Sequence, residues 1–227
     1  MKKTILILTL SISLSVFSSA LVKRDDDARI LTVIARMVYS GSAVTEELAR
    51  LSTDEIHNMW NGAPTLVSLN GKAYSVEFQV DYVLGGGVLV EADSCAHNFI
   101  QILPKTNAGD RSYYSGLGSR NGVFYTSDGL GHSTTAAHEF GHGLLLDHNA
   151  PNQVLALVPG IMFARGTLVR QEFQWDTRVL AGAPGGTINP VHRHVRAEDV
   201  KAIPFFRVKF NAKNLGCLGN GLDLDIL

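Results

Sequence analysis

Residues Ser133 to His148 read STTAAHEFGHGLLLDH, and the histidine spacing inside this stretch decides what the chain builds. It contains H-E-x-x-H as His138, Glu139 and His142. On a helix, residues four apart share a face, so both imidazoles can reach one metal ion at about 2.0–2.1 Å. Glu139 is the next residue round the helix and can approach a metal-bound water without being a ligand. Zinc lowers the pKa of its water towards about 7, and a neighbouring carboxylate can take the proton. Those parts hydrolyse an amide. With eight histidines in 227 residues, multiplied residue frequencies produce the pattern by chance in roughly 1% of such chains.

The surroundings agree with a helix. Ser133, Thr134 and Thr135 are N-cap types, and Ala136 and Ala137 are strong helix formers that allow close packing. A third histidine, His148, lies six residues beyond His142. If the helix ran on, it would be rotated by about 240° from His142, at roughly 100° per residue. The chain must therefore leave the helix and swing back. Three imidazoles and a water then make the open tetrahedral set of a catalytic zinc. Asp147 is the nearest competitor as a ligand.

His138, Glu139, His142 and His148 occupy the functional positions of H-E-x-x-H-x-x-G-x-x-H, and in this the sequence resembles the metzincin metallopeptidases, bacterial matrixin-like members in particular. Leu145 stands where that pattern has glycine. A left-handed turn at a non-glycine costs about 1–2 kcal/mol, so the turn sits there at that cost or moves to another position such as Gly143. Pro159-Gly160-Ile161-Met162 resembles the family's Met-turn, with Met162 as an apolar floor beneath the metal. Phe163 follows, so the tyrosine ligand of some metzincins is missing there. Ala197 to Ile203 resembles the matrixin C-terminal helix. The likeness spans about residues 29 to 205. It implies an α+β metzincin-like zincin catalytic domain: a twisted mixed β-sheet, an active-site helix and a lower subdomain bearing the Met-turn. It implies one catalytic Zn²⁺. A structural Ca²⁺ is common among matrixin-like proteins, but no EF-hand-like loop marks one here. By the same analogy Gly122 to Thr126 is the edge strand that would pair with substrate.

Outside the motif, Lys2 and Lys3 precede an apolar run from Ile5 to Phe17 that ends at Ser18-Ser19-Ala20. This is the pattern of an export signal cut after Ala20. The expected organisation is a signal peptide over 1–20, a short lead-in or pro-segment over 21–28, and one metallopeptidase domain over 29–227. Removing Lys2 and Lys3 takes the formal net charge from −1 to −3. No basic excess points to nucleic acid, and no block of like charge points to a membrane surface. The two cysteines, Cys95 and Cys217, fit an oxidising compartment as a disulfide; the other reading is two buried thiols.

Ile30–Tyr39 reads as a strand, and Thr45–Trp60 as one helix, or as two if Ser52-Thr53-Asp54-Glu55 is a capping box. A hairpin is expected over 65–84 with Asn70-Gly71 at its turn. Strands are expected at 99–103, 123–126 and 205–210, and a short helix at 196–203. Glu172, with Asp176 four residues on, is the rival third ligand of a gluzincin. Asp25–Asp27 reads as a solvated linker or, alternatively, a zinc-blocking pro-segment. His192 and His194 read as a solvated pair. The expected function is a secreted or periplasmic zinc endopeptidase. Its partners are protein or peptide substrates, with no nucleic acid, no stable membrane association after signal cleavage, and a monomeric chain. The alternatives are a secreted zinc-binding adhesin with little turnover, or a gluzincin-type peptidase using Glu172.

Overall fold

A computed structural model describes residues 18–85, 95–148 and 158–219. The fold is α+β, built on a mixed sheet. Strand β1 (Ala20–Asp25) runs antiparallel to β2 (Ile30–Ser40). Helix α1 (Glu46–Asn61) follows, then β3 (Leu66–Leu69) and β4 (Lys72–Leu84), then β5 (His97–Leu103). After β6 (Tyr113–Tyr114) and β7 (Asn121–Tyr125) come helices α2 (Thr135–Gly143) and α3 (Ala197–Ala202), and last β8 (Leu215–Leu218). The main sheet order is β3-β4-β2-β5-β7-β6. β2, β4, β5 and β7 are parallel neighbours, and β3 and β6 are antiparallel edges.

Local chemistry explains most of these boundaries. Thr45 caps α1, its hydroxyl accepting the Leu48 N–H at 3.1 Å. The helix is a single element through Glu55: Ser52 and Thr53 are buried within it, and the Thr53 hydroxyl donates to the Ala49 carbonyl at 2.9 Å instead of capping a second helix. Asn70 and Gly71 both take positive φ, 51° and 76°, as a type I′ hairpin turn requires. β2 lies between β4 and two partners on its other edge: its first half pairs with β1 and its second with β5. That central position buries Leu31, Val33, Ala35, Met37 and Tyr39. The core joins the sheet to both long helices through Trp60, whose ring lies 5.3 Å from Phe78 and 6.1 Å from Phe140.

Residues 20–25, which span the expected signal cut and the start of the lead-in, form β1, which bridges β2 and β8; of the charged lead-in, Lys23, Asp25 and residues 27–29 are exposed. Ser18, Ser19 and Ala20 are buried. Asp25 ends β1 and Asp26 and Asp27 begin the turn to β2, with Asp25 and Asp27 exposed: Tyr74 donates to Asp26 at 2.5 Å, and Arg24 pairs with Asp26 at 3.1 Å. Residues 205–207 form a 3₁₀ turn after Pro204, where a strand was expected, and the strand comes later as β8. Residues 1–17, which hold most of the expected signal peptide, and Gly86-Gly87 lie outside the described residues.

Cys95 and Cys217 form a disulfide with their Cα atoms 5.6 Å apart. It ties the start of β5 to β8 across 122 residues of sequence. In the chain-entropy account, closing a loop of that length stabilises by about 4–5 kcal/mol. Among the described residues, no helix is long and apolar enough to cross a membrane.

Candidate metal centre

Helix α2 carries His138 and His142 on one face, and the chain then turns sharply to return His148 to them. The turn is made at Leu145, whose φ is 71°. Leu145 N–H donates to the His142 carbonyl and Leu146 N–H to the Gly141 carbonyl, at 3.1 and 3.0 Å. This paired pattern is a Schellman motif. Leucine therefore occupies the left-handed position usually given to glycine, and the two backbone hydrogen bonds offset the steric cost.

The result is three imidazoles whose ligand atoms lie within 4.8 Å of one another. His138 Nε2 and His148 Nε2 are 3.2 Å apart. Two nitrogens bound tetrahedrally at 2.0–2.1 Å would be separated by about 3.3 Å, so the spacing fits one shared ion. Two of the far ring nitrogens are also engaged. His138 Nδ1 donates to the Ile161 carbonyl at 2.5 Å, and His142 Nδ1 to the Leu146 carbonyl at 2.8 Å. Those bonds place the proton on Nδ1 and leave Nε2 free, the arrangement by which a metal-ligating histidine is oriented. Burial pushes all three imidazoles below their ordinary pKa, His138 furthest. They are therefore neutral at pH 7, the state that binds a metal.

Glu139 is buried beside them and, with His142 and His148, lines a cleft of about 280 Å³. Tyr113, Tyr114 and Leu117 form its opposite wall. Burial raises the Glu139 carboxyl to about 8, against the pull of the Arg193 charge and the Tyr114 N–H. The outer edge of the sheet at this cleft is β6, which pairs with β7 at Gly122 and Val123. The substrate-pairing edge expected at Gly122–Thr126 is thus covered there, and Tyr113–Tyr114 takes the outer position.

Met162 is 1% exposed, in a turn closed by Phe163 N–H on the Gly160 carbonyl at 3.1 Å. A side chain at Gly141 would collide with Met162 Sδ, so α2 lies directly on this methionine. The same turn supplies the Ile161 carbonyl that orients His138. Glu172 does not join the histidines. It sits in an exposed 3₁₀ turn and pairs with Arg170 at 2.5 Å. Asp147 is exposed and accepts the His148 N–H at 2.7 Å.

Two functional supports escaped sequence reading. Glu55, on α1, accepts the Ala137 N–H at 2.9 Å and so satisfies a free donor in the first turn of α2. Thr134, the residue at the N-cap position, makes no capping bond and instead donates to the Pro190 carbonyl at 2.7 Å. Trp60 Nε1 donates to the Ala137 carbonyl at 3.1 Å, so α1 holds α2 at two points. Neither contact has a sequence signal, since the partners are about eighty residues apart. Sequence reading also missed that Arg193 is buried, at 4% exposure. The alternation of His192 and His194 toward solvent was the signal that the residue between them points inward.

No family model matches the chain, and no curated protein matches it. Among solved structures, one described as "Structure of a chaperone-substrate complex" matches with a TM-score of 0.32 and 14% identity. The match covers 85% of this chain and 32% of that one. The chain thus spans about a third of the length of that structure, and a likeness so slight assigns neither fold nor function.

Proposed function

We propose that the chain is an exported zinc endopeptidase of metzincin type, with His138, His142 and His148 as metal ligands and Glu139 as general base. The observation that carries this reading is the convergence of three imidazoles, two of them anchored through Nδ1, beside the buried Glu139 carboxyl in an open cleft. Zinc is favoured over other ions because three imidazoles leaving one position open is its usual catalytic ligand set. When bound, zinc supplies a Lewis acid for the scissile carbonyl and makes water acidic near neutral pH.

The protein's own groups supply the rest. Burial raises the Glu139 carboxyl in the metal-free chain, and a neighbouring dication would hold it ionised; it then takes the proton of the attacking water on a carboxylate oxygen and delivers it to the leaving amine. The backbone of Tyr113–Tyr114, at the outer edge of the sheet, can hold an extended peptide along the cleft by strand addition. Met162 and the Ile161 carbonyl keep His138 in position. The element order also supports the reading: a strand, a long helix ending in Trp60-Asn61, several strands, the histidine helix and a methionine turn. The disulfide supports an oxidising compartment, so we place the protein in the periplasm or outside the cell, acting on proteins or peptides.

The direct test is Glu139→Ala. The variant should bind one zinc per chain and lose cleavage of a denatured protein by at least a hundredfold. Undiminished cleavage would overturn the assignment. A chelator-sensitive cleavage assay on the parent protein separates this reading from a zinc-binding adhesin, which cleaves nothing with or without metal.

A further inference from the structure

The last four carbonyls of α2 are all engaged, and one of their partners comes from the start of the described chain. The Phe140 carbonyl accepts the Leu144 N–H at 3.0 Å, and the Gly141 carbonyl accepts the Leu146 N–H at 3.0 Å. The His142 carbonyl accepts both the Leu145 N–H, at 3.1 Å, and the Gly118 N–H, at 2.8 Å. The Gly143 carbonyl accepts the hydroxyl of Ser19, 124 residues away in sequence. Carbonyls in the last turn of a helix have no partner within it. Gly143 is buried, so without Ser19 its carbonyl would bear the desolvation penalty of an unpaired acceptor.

Ser19 is itself held from both sides. Its N–H donates to the Leu218 carbonyl on β8 at 3.0 Å, and its carbonyl accepts the Asn98 amide of β5 at 2.7 Å. The Asn98 side chain in turn accepts the Tyr114 hydroxyl at 3.2 Å. The fit against the helix is close: a Cβ on Gly143 would lie 3.0 Å from the Tyr114 ring and 3.3 Å from Ser19 Cβ. Gly143 directly follows His142 and stands two residues before Leu145, so it opens the turn that returns His148. Leu145 sits in that turn at a φ of 71°, a conformation that persists at a non-glycine only where its surroundings over-determine it. The same turn presents the Leu146 carbonyl to His142 Nδ1.

We propose that Ser19 is a positioning residue of the metal centre. Its hydroxyl fixes the Gly143 carbonyl, and through it the turn that carries the Leu146 carbonyl and His148. This rests on the reading of His138, His142 and His148 as metal ligands and extends that site to a residue in front of β1. A cut after Ala20 would take the support away. Ser18 provides a control within the same segment. It is 1% exposed, but its hydroxyl is directed to the Leu218 carbonyl at 2.9 Å, with longer approaches to the Ala20 and Cys95 carbonyls and none to α2.

The experiment compares the full-length parent, Ser19→Ala and Ser18→Ala, each shown by its urea curve to be folded without metal. Zinc affinity is read by chelator competition. Ser19→Ala should bind zinc about tenfold more weakly than the parent, the lower end of what losing an outer support of a metal ligand costs. Ser18→Ala loses a buried hydroxyl bond of the same kind and should keep the parent's affinity. Cobalt loading gives a second readout, since the visible bands of Co²⁺ report its coordination geometry. Those bands should coincide in the parent and Ser18→Ala, and change in Ser19→Ala as the third imidazole gives way. Parent-like affinity and spectrum in Ser19→Ala overturn the proposal. Equal weakening in both serine variants also overturns it, because a general softening would then explain the loss. If the parent binds neither ion, the metal-site reading falls and this proposal with it; if the parent binds and Ser19→Ala binds alike, only this proposal falls. If Ser19→Ala does not fold, Asn98→Ala, which frees the Ser19 carbonyl, takes its place: weakened zinc binding supports the proposal, and parent-like binding overturns it.

Discussion

The contact between Glu55 and α2 makes a pH-dependent prediction that can be followed in magnitude. Glu55 is carried by α1 and accepts the Ala137 N–H at 2.9 Å, yet its second oxygen is buried with no partner. Burial raises its carboxyl from 4.5 to about 7, with the N–H groups of Ala137, Gly131 and Ala136 opposing. At 1.36 kcal/mol per pKa unit, this rise corresponds to about 3 kcal/mol. The sign follows from proton counting: between pH 4.5 and 7 the folded chain holds a proton on Glu55 that the unfolded chain has lost. Stability from this group is therefore fully present below about pH 4.5 and declines as pH rises through 7. Glu55→Gln keeps an oxygen for Ala137 but does not titrate. Relative to the parent, its unfolding free energy should rise by about 3 kcal/mol between pH 4.5 and pH 8. Urea unfolding of the two metal-free proteins at those pH values reads this difference directly, because other titrating groups cancel. A parent-to-variant difference that stays constant with pH would refute the buried-carboxylate account of how α1 holds the histidine helix.

Gly141→Ala should destabilise by up to about 2 kcal/mol: overpacking against Met162 and Trp60 costs about 1–3 kcal/mol, less about 1 kcal/mol gained in helix propensity. Adding Met162→Ala should recover part of that loss in a double-mutant cycle on urea midpoints, and purely additive effects would disprove the contact. His148→Ala should weaken zinc binding by at least a hundredfold in a chelator competition, whereas Glu172→Ala should leave it unchanged because that carboxylate pairs with Arg170. A chain beginning at Leu21 loses the Ser18 hydroxyl bond to the Leu218 carbonyl, the Asn98 amide bond to the Ser19 carbonyl, and the Ser19 contact with Gly143. At about 1 kcal/mol each, it should melt roughly 6–12 °C below a chain beginning at Ser18.

The motif and its neighbourhood were legible because they rest on short-range periodicity. Four-residue spacing alone puts His138 and His142 on one face, and the Asn70-Gly71 turn, the Thr45 cap and the apolar run of β2 are equally local. The reading failed where a segment's role depends on what covers it. The charged run Lys23–Arg29 looks solvated in one dimension and is largely exposed, but its first part belongs to the strand Ala20–Asp25, to which β2 and β8 offer hydrogen bonds on both sides. Gly122–Val123 looks like an edge until β6 pairs with it. Ser133-Thr134-Thr135 looks like a self-capping start, whereas the cap comes from Glu55.

Residue type and spacing by themselves determined the histidine helix, the order of the major elements and the available chemistry, since a helix repeats every 3.6 residues whatever surrounds it. Only the tertiary structure decided that Leu145 makes the return turn, that Ile161 and Leu146 carbonyls set the imidazole tautomers, and that Arg193 lies buried beside them. Those are contacts between groups distant in the chain or conformations against local preference. Their free energy comes from packing and from satisfying buried polar groups, which no short stretch of sequence can do alone.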